Sequence, residues 1–157
     1  MPPLVPWFPA IEASTVATTI RDSVILTGLL SGAHLIGLTL LVGSVLVSSA
    51  SVSGILFTDQ PVSEVTRAAR RASIVGLALS VATGLLLLAP RIVTASNSRV
   101  FRIKMLLLAG AALFHFAIYL PAARGRRSTV PPALAGGAAF LLWFGVVLAG
   151  CAYILLE

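Results

Sequence analysis

An all-α fold, a four-transmembrane-helix up-down bundle with a short N-terminal interfacial helix, follows from three observations. The 157 residues are 58% hydrophobic and only 10% charged. Their mean hydropathy of +1.03 is too apolar for an ordinary soluble domain. The uncharged run from Ser23 to Thr58, between Asp22 and Asp59, exceeds the ~20 residues that cross a bilayer as a helix. Three further apolar runs, Ala72 to Ala89, Met105 to Ala123 and Val130 to Leu156, lie between clusters of charge or proline. A single membrane domain covering residues 1–157 is expected, with spans at about 24–47, 72–89, 104–121 and 131–156.

Residues 1–22 precede the first span. Ile11, Thr15, Thr19 and Ile20 recur at helical spacing opposite Glu12, Ser14 and Asp22, Pro9 stands where a helix can begin, and Trp7 with Phe8 suits a membrane face. This segment reads as a short interfacial helix, or otherwise as a disordered tail. It lacks the basic start and apolar core of a secretory signal. The connector after span one is serine-rich, then helix-friendly, and ends in Arg67, Arg70 and Arg71. Span two closes at Pro90 and Arg91, and "TASNS" reads as a loop. Phe101, Arg102 and Lys104 open span three. "ARGRRSTVPP" reads as a basic turn before a last span that Pro131 and Pro132 initiate and Glu157 ends.

The net charge of +6 would suggest nucleic acid in a soluble protein, but here the cations flank spans, where they serve topology and contact with anionic lipid. No nucleic-acid partner is expected. The two connectors on one side carry six Lys/Arg, against five on the other (Arg21, Arg91, Arg99, Arg102 and Lys104). The positive-inside rule then leans toward both termini outside the cytoplasm. The lone Cys151 excludes an internal disulfide. The carboxylates stand near span ends, and no phosphate-cradling loop, nucleophile elbow or zinc-protease helix is present. Stand-alone hydrolase or transferase chemistry is not expected.

Both histidines, His34 and His115, fall inside spans, where an ionisable side chain is costly and is taken as functional unless a partner makes it structural. His34 lies twelve residues after Asp22 and His115 eleven after Lys104, which at ~1.5 Å per residue puts both ~16 to 18 Å from the charge that opens the helix. Spans one and three run the same way, so this count predicts two imidazoles at one depth. That pattern suits axial ligation of one haem b iron. Gly37, Ala111 and Ala112 would leave room for the macrocycle, and Arg102, Lys104 and Arg21 are candidate partners for its propionates.

Two alternatives stay open. Each histidine can instead hydrogen-bond across helices, with Ser80 or Thr83 of span two as candidate partners, and so hold the bundle together without a cofactor. Metal or proton transport is the other, although two histidines and a distant cysteine make a poor zinc site and only Met1 and Met105 are available for copper. The small-residue stripes Gly28–Gly32 and Gly76–Ser80–Gly84 read as helix-packing surfaces.

The segments "HLIGLTLLVGS", "GLALSVATGLLLL", "NSRVFRIKMLLLAGAALFHF" and "LLWFGVVLAG", from about Val24 onward, resemble a family of small bacterial four-helix membrane proteins of unknown function. They also look similar to CopD-like and b-type cytochrome membrane domains. In that family a glutamate commonly stands three residues before the first-span histidine; here Ser31 occupies the place. The resemblance implies a multi-pass protein of the bacterial cytoplasmic membrane, with haem on intramembrane histidines, matched here only by His34 and His115. The expected function is that of an electron-transfer subunit between the quinone pool and a redox partner, membrane-bound or extracytoplasmic. Alternatives are a cofactor-free structural or accessory subunit of a larger complex, and a small copper or solute transporter. Membrane lipid, a quinone and a second copy of the chain complete the candidate partners.

Overall fold

The computed structural model describes residues 5–123 and 130–156, and the regular structure among them is entirely helical. Two short helices, α1 (Phe8–Glu12) and α2 (Thr15–Asp22), precede the long α3 (Val24–Val52) and α4 (Val62–Leu88). A 3-10 turn, Ala89–Arg91, leads into α5 (Ile92–Asn97) and α6 (Arg99–Phe114), and a π-helical turn, His115–Tyr119, joins α6 to α7 (Leu120–Ala123). The last helix is α8 (Pro132–Leu156). Four stretches are long and apolar enough to cross a membrane: Val24–Val52, Val62–Asn97, Arg99–Ala122 and Pro132–Ala152. The protein is thus a multi-pass membrane protein by length and composition, built as an α-helical bundle.

Local chemistry sets most of the boundaries. Ser14, Ser23 and Ser98 each stand at a helix start with extended backbone, and each side-chain oxygen accepts a backbone N–H three residues on, from Ala17, Leu26 and Phe101. This satisfies donors that a helix start leaves without partners. The end of α3 is a Schellman turn: Gly54 takes φ +69, its N–H donates to the Ser51 carbonyl, and the Ile55 N–H donates to that of Ala50.

The helix-friendly second half of the arginine-ended connector is helix and continuous with span two, since α4 begins at Val62 rather than near Ala72. No proline follows Pro61 until Pro90, and Glu64 lies in the first turn, favourable to the helix dipole. The "TASNS" segment is also mostly helix, because Glu12 reaches across from α1 and its Oε2 accepts the Val93 N–H at 3.0 Å, capping α5 from 81 residues away. Only Ser98 breaks the helix, so α6 starts at Arg99. Where one short helix was expected in residues 1–22, the structure has two, with α1 against α5 and α2 against the Ala89–Arg91 turn. Of the predicted basic turn "ARGRRSTVPP", residues 124–129 lie outside the described residues.

The spans pack in the order α4, α3, α8, α6, and α4 and α6 share no substantial contact. Along α3 and α4 the pairs His34/Thr83, Gly37/Ser80 and Leu41/Gly76 lie opposite one another. The backbones approach so closely that a methyl at Gly76 would lie 2.6 Å from the Leu41 nitrogen and 2.7 Å from the Gly37 carbonyl oxygen. Gly136 of α8 meets Ser49 of α3 in the same manner. Leu41, Val45, Ala139 and Trp143 fill the interior, while Val24, Ile25, Leu106 and Leu113 point outward, as lipid-facing residues do.

Gly76→Ala should therefore destabilise the bundle by about 1–3 kcal/mol through overpacking. Gly28→Ala, whose added methyl meets nothing within 4 Å, should be neutral or stabilising by up to ~1 kcal/mol, since alanine is the better helix former. Thermal unfolding of both variants in one detergent separates these outcomes, and equal losses would contradict the close seam.

Candidate functional site

The polar interior falls into three groups along the bundle axis. In the first, the His34 Nδ1 lies 3.0 Å from the Thr83 hydroxyl oxygen. That hydroxyl donates its single proton to the Leu79 carbonyl at 2.6 Å, so toward His34 it can only accept. The proton between them therefore belongs to His34 Nδ1, and the Nε2 of the neutral ring keeps its lone pair. Gly84 gives this ring its place, since a methyl there would come within 3.1 Å of Cε1. Lys104 of α6 faces the same level, within electrostatic range of His34 and Cys151, with its Nζ beside Gly150 of α8.

The second group surrounds His115, which is only 1% exposed. Its Nδ1 receives the indole N–H of Trp143 at 3.3 Å. An indole N–H only donates, so Nδ1 accepts, and the neutral ring carries its proton on Nε2. The backbone here is the π turn, closed by the Leu120 N–H on the His115 carbonyl. Such turns are rare and recur at functional sites. The wider turn brings His115 and Tyr119 together on the buried side, with ring centroids 5.1 Å apart, and the Tyr119 hydroxyl faces Ser48 and Ser49 of α3.

These partners fix the depths of the two histidines. Lys104 is level with His34, whereas His115 lies eleven residues further along the same span as Lys104, ~16 Å at helical rise, among the side chains that pack on Leu41 and Val45. The predicted common depth is corrected, because the count started from charges at unequal depths. Asp22 ends α2 outside the span, while Lys104 is already inside the bundle.

A haem held between His34 and His115 does not fit this arrangement. The imidazoles are far apart along the axis, His115 offers a protonated Nε2 where an axial ligand needs a lone pair, and Trp143 covers its other nitrogen. Gly37 lies in the α3–α4 seam and clears no space for a ring. Ala111 is buried in the core and Ala112 packs at its edge. Arg102 is exposed with its Nε on the Ser98 carbonyl, and Arg21 binds the Glu12 carbonyl. Of the expected propionate partners, Lys104 alone turns inward.

The third group is a cavity of about 600 Å³ between α3, α4, the π turn and the start of α8. Ser44 and Ser48 of α3, Ser63, Thr66, Arg67, Arg70 and Ser73 of α4, and Tyr119 supply its polar lining. Sequence reading missed it as a site. Its signal was the i, i+4 pair Ser44–Ser48 and the Thr66, Arg70, Ser73 stripe, legible only once α4 is known to begin at Val62.

Residues 16–155 match a family of unknown function, DUF6644. The chain belongs to that family. No curated protein and no solved structure matches this DUF6644 chain, and no similarity to CopD-like or cytochrome b domains is shown.

Nitrogen NMR of histidine-labelled protein should show the two neutral rings in opposite tautomers, Nδ1–H for His34 and Nε2–H for His115. Trp143→Phe should remove the donor to a buried acceptor, cost about 1–3 kcal/mol and shift only the His115 signals. Identical tautomers would overturn the assignment.

Proposed function

We propose that this DUF6644 chain is a cofactor-free accessory subunit of a larger membrane assembly. The observation that carries this reading is the engagement of both imidazoles in hydrogen bonds between helices, His34 to Thr83 and His115 to Trp143, ordinary polar fastening in a bundle where lipid supplies no hydrophobic drive for association. The outer face of α3 supports the docking part. Gly28 and Gly32 are exposed and an added methyl at either meets nothing within 4 Å, whereas Gly37, Gly76 and Gly136 are all filled by neighbouring helices. A bare pair of glycines four residues apart suits close approach by a helix of another chain. The Lys/Arg balance favours termini on the extracytoplasmic side of a bacterial inner membrane, with Arg67 and Arg70 on the cytoplasmic face.

The electron-transfer reading, with haem b, a quinone and a redox partner, is favoured only by the lone pair on His34 Nε2 and opposed by the tautomer and depth of His115. A transport reading would need a polar route, and the interior beside His115 is filled by Leu41, Val45 and Trp143, each 1% exposed.

Protein produced with ample haem should give no reduced-minus-oxidised haem bands. Gly28→Leu with Gly32→Leu should release co-purifying membrane proteins without lowering the unfolding midpoint, and His115→Ala should lower that midpoint and leave association in place. Haem bands lost in either His34→Ala or His115→Ala would overturn the proposal.

A further inference from the structure

The cavity beside Arg67 and Arg70 has a chemistry that the accessory role does not use. Among the described residues its lining carries two guanidinium groups and no carboxylate, so the charge they give it is positive. Four of its polar side chains, Ser44, Ser48, Ser73 and Tyr119, are more than nine-tenths buried. The Ser44 hydroxyl donates to the Leu41 carbonyl and the Ser73 hydroxyl to the Arg70 carbonyl, so into the cavity both can only accept.

The pairing of residues along the α3–α4 seam orders these groups in depth. Ser44 lies across from Ser73 at the deep end, and Val52 with Val62 and Thr66 lies toward the end of the bundle; Arg67 and Arg70 fall between. A ligand that fits therefore brings anionic oxygens to the arginines and hydroxyl donors to the deep serines. Val45, Val52, Leu120 and Ala122 give the same space an apolar wall. The volume lies within the roughly 300–1,000 Å³ of small-molecule sites.

We infer that this cavity binds a phosphate ester bearing at least one free hydroxyl, its phosphate on Arg67 and Arg70 and its hydroxyl on Ser44 and Ser73. Two sources share that chemistry, the headgroup of an anionic phospholipid such as phosphatidylglycerol and a soluble polyol phosphate. Basic pockets between spans on one membrane face are established places for anionic headgroups. Arg71, which is exposed and outside the cavity, provides an internal control of equal charge.

The test is native mass spectrometry of the full chain with phosphatidylglycerol, phosphatidylcholine and phosphatidic acid, with glycerol 3-phosphate as competitor. Phosphatidylglycerol should be retained well above phosphatidylcholine. Arg67→Gln and Arg70→Gln should each reduce that retention about 5-fold, from the ~1 kcal/mol that one surface cation contributes, while Arg71→Gln leaves it within 2-fold. Ser44→Ala with Ser73→Ala should erase the preference for phosphatidylglycerol over phosphatidic acid, whose phosphate carries no hydroxyl headgroup, without lowering binding of the latter. Displacement by glycerol 3-phosphate assigns the site to a soluble ester, and lack of displacement assigns it to lipid. Equal retention of phosphatidylglycerol and phosphatidylcholine, or equal losses in the Arg70 and Arg71 variants, would overturn the inference.

Discussion

The close contact of α3 with α4 is the constraint on which the other features depend. Lipid is as apolar as the helix surfaces it would leave, so two spans gain by contact only if their backbones come near enough for dense packing and polar fastening. Gly37 and Gly76 permit that approach, and Ser80 lies against the first of them. Once the seam is closed, Thr83 is carried to His34, and Gly84 leaves the space that the imidazole fills. The position of His34 is thus a consequence of glycines up to two turns away. Its proton placement follows in turn from the Leu79 carbonyl that binds the Thr83 hydroxyl.

His115 solves the same problem from the other side of α3. It cannot reach α4, which shares no substantial contact with α6, so its partner comes from α8 as an indole N–H. One histidine donates through Nδ1 and the other accepts there. A single pair of residue types therefore does two chemically opposite things because the neighbouring helix offers an acceptor in one case and a donor in the other. Counting residues cannot distinguish these cases, since tautomer is set by the partner.

The helical class and the four spans were legible because apolar runs of this length have few other uses, and Ser23 and Ser98 marked helix starts by a local chemical rule. Ser80 and Thr83 were both legible as candidate partners for His34 across the helices, and the imidazole meets the Thr83 hydroxyl. The α5 segment was not legible: its cap is Glu12, remote in sequence, and local composition argued for a loop. The relative depth of the histidines failed for a related reason. Lys104 looks in sequence like a residue that opens a span, yet Gly150 of α8 receives its side chain inside the bundle, and no pattern within span three records that.

The two ends of the α3–α4 interface differ for a reason that lies in the residues along it. From His34 to Leu41 the facing positions on α4 include Gly76, Ser80 and Gly84, and the backbones touch. Beyond Leu41 the same two faces carry Ser44, Ser48 and Val52 against Thr66, Ala69, Arg70 and Ser73, and a cavity lies there. Side chains replace hydrogen atoms at the contact, so the backbones can no longer close, and Tyr119 and Leu120 wall the space from the side without filling it. A bundle needing only stability would continue the glycine and alanine pattern or fill the gap with leucine, because void costs packing energy. Here the gap is lined instead with hydroxyls, of which Ser44 and Ser73 donate to carbonyls of their own helices, and with Arg70 and the exposed Arg67. The close seam therefore fixes the bundle, and the change of residue type along it marks where the fold stops serving itself.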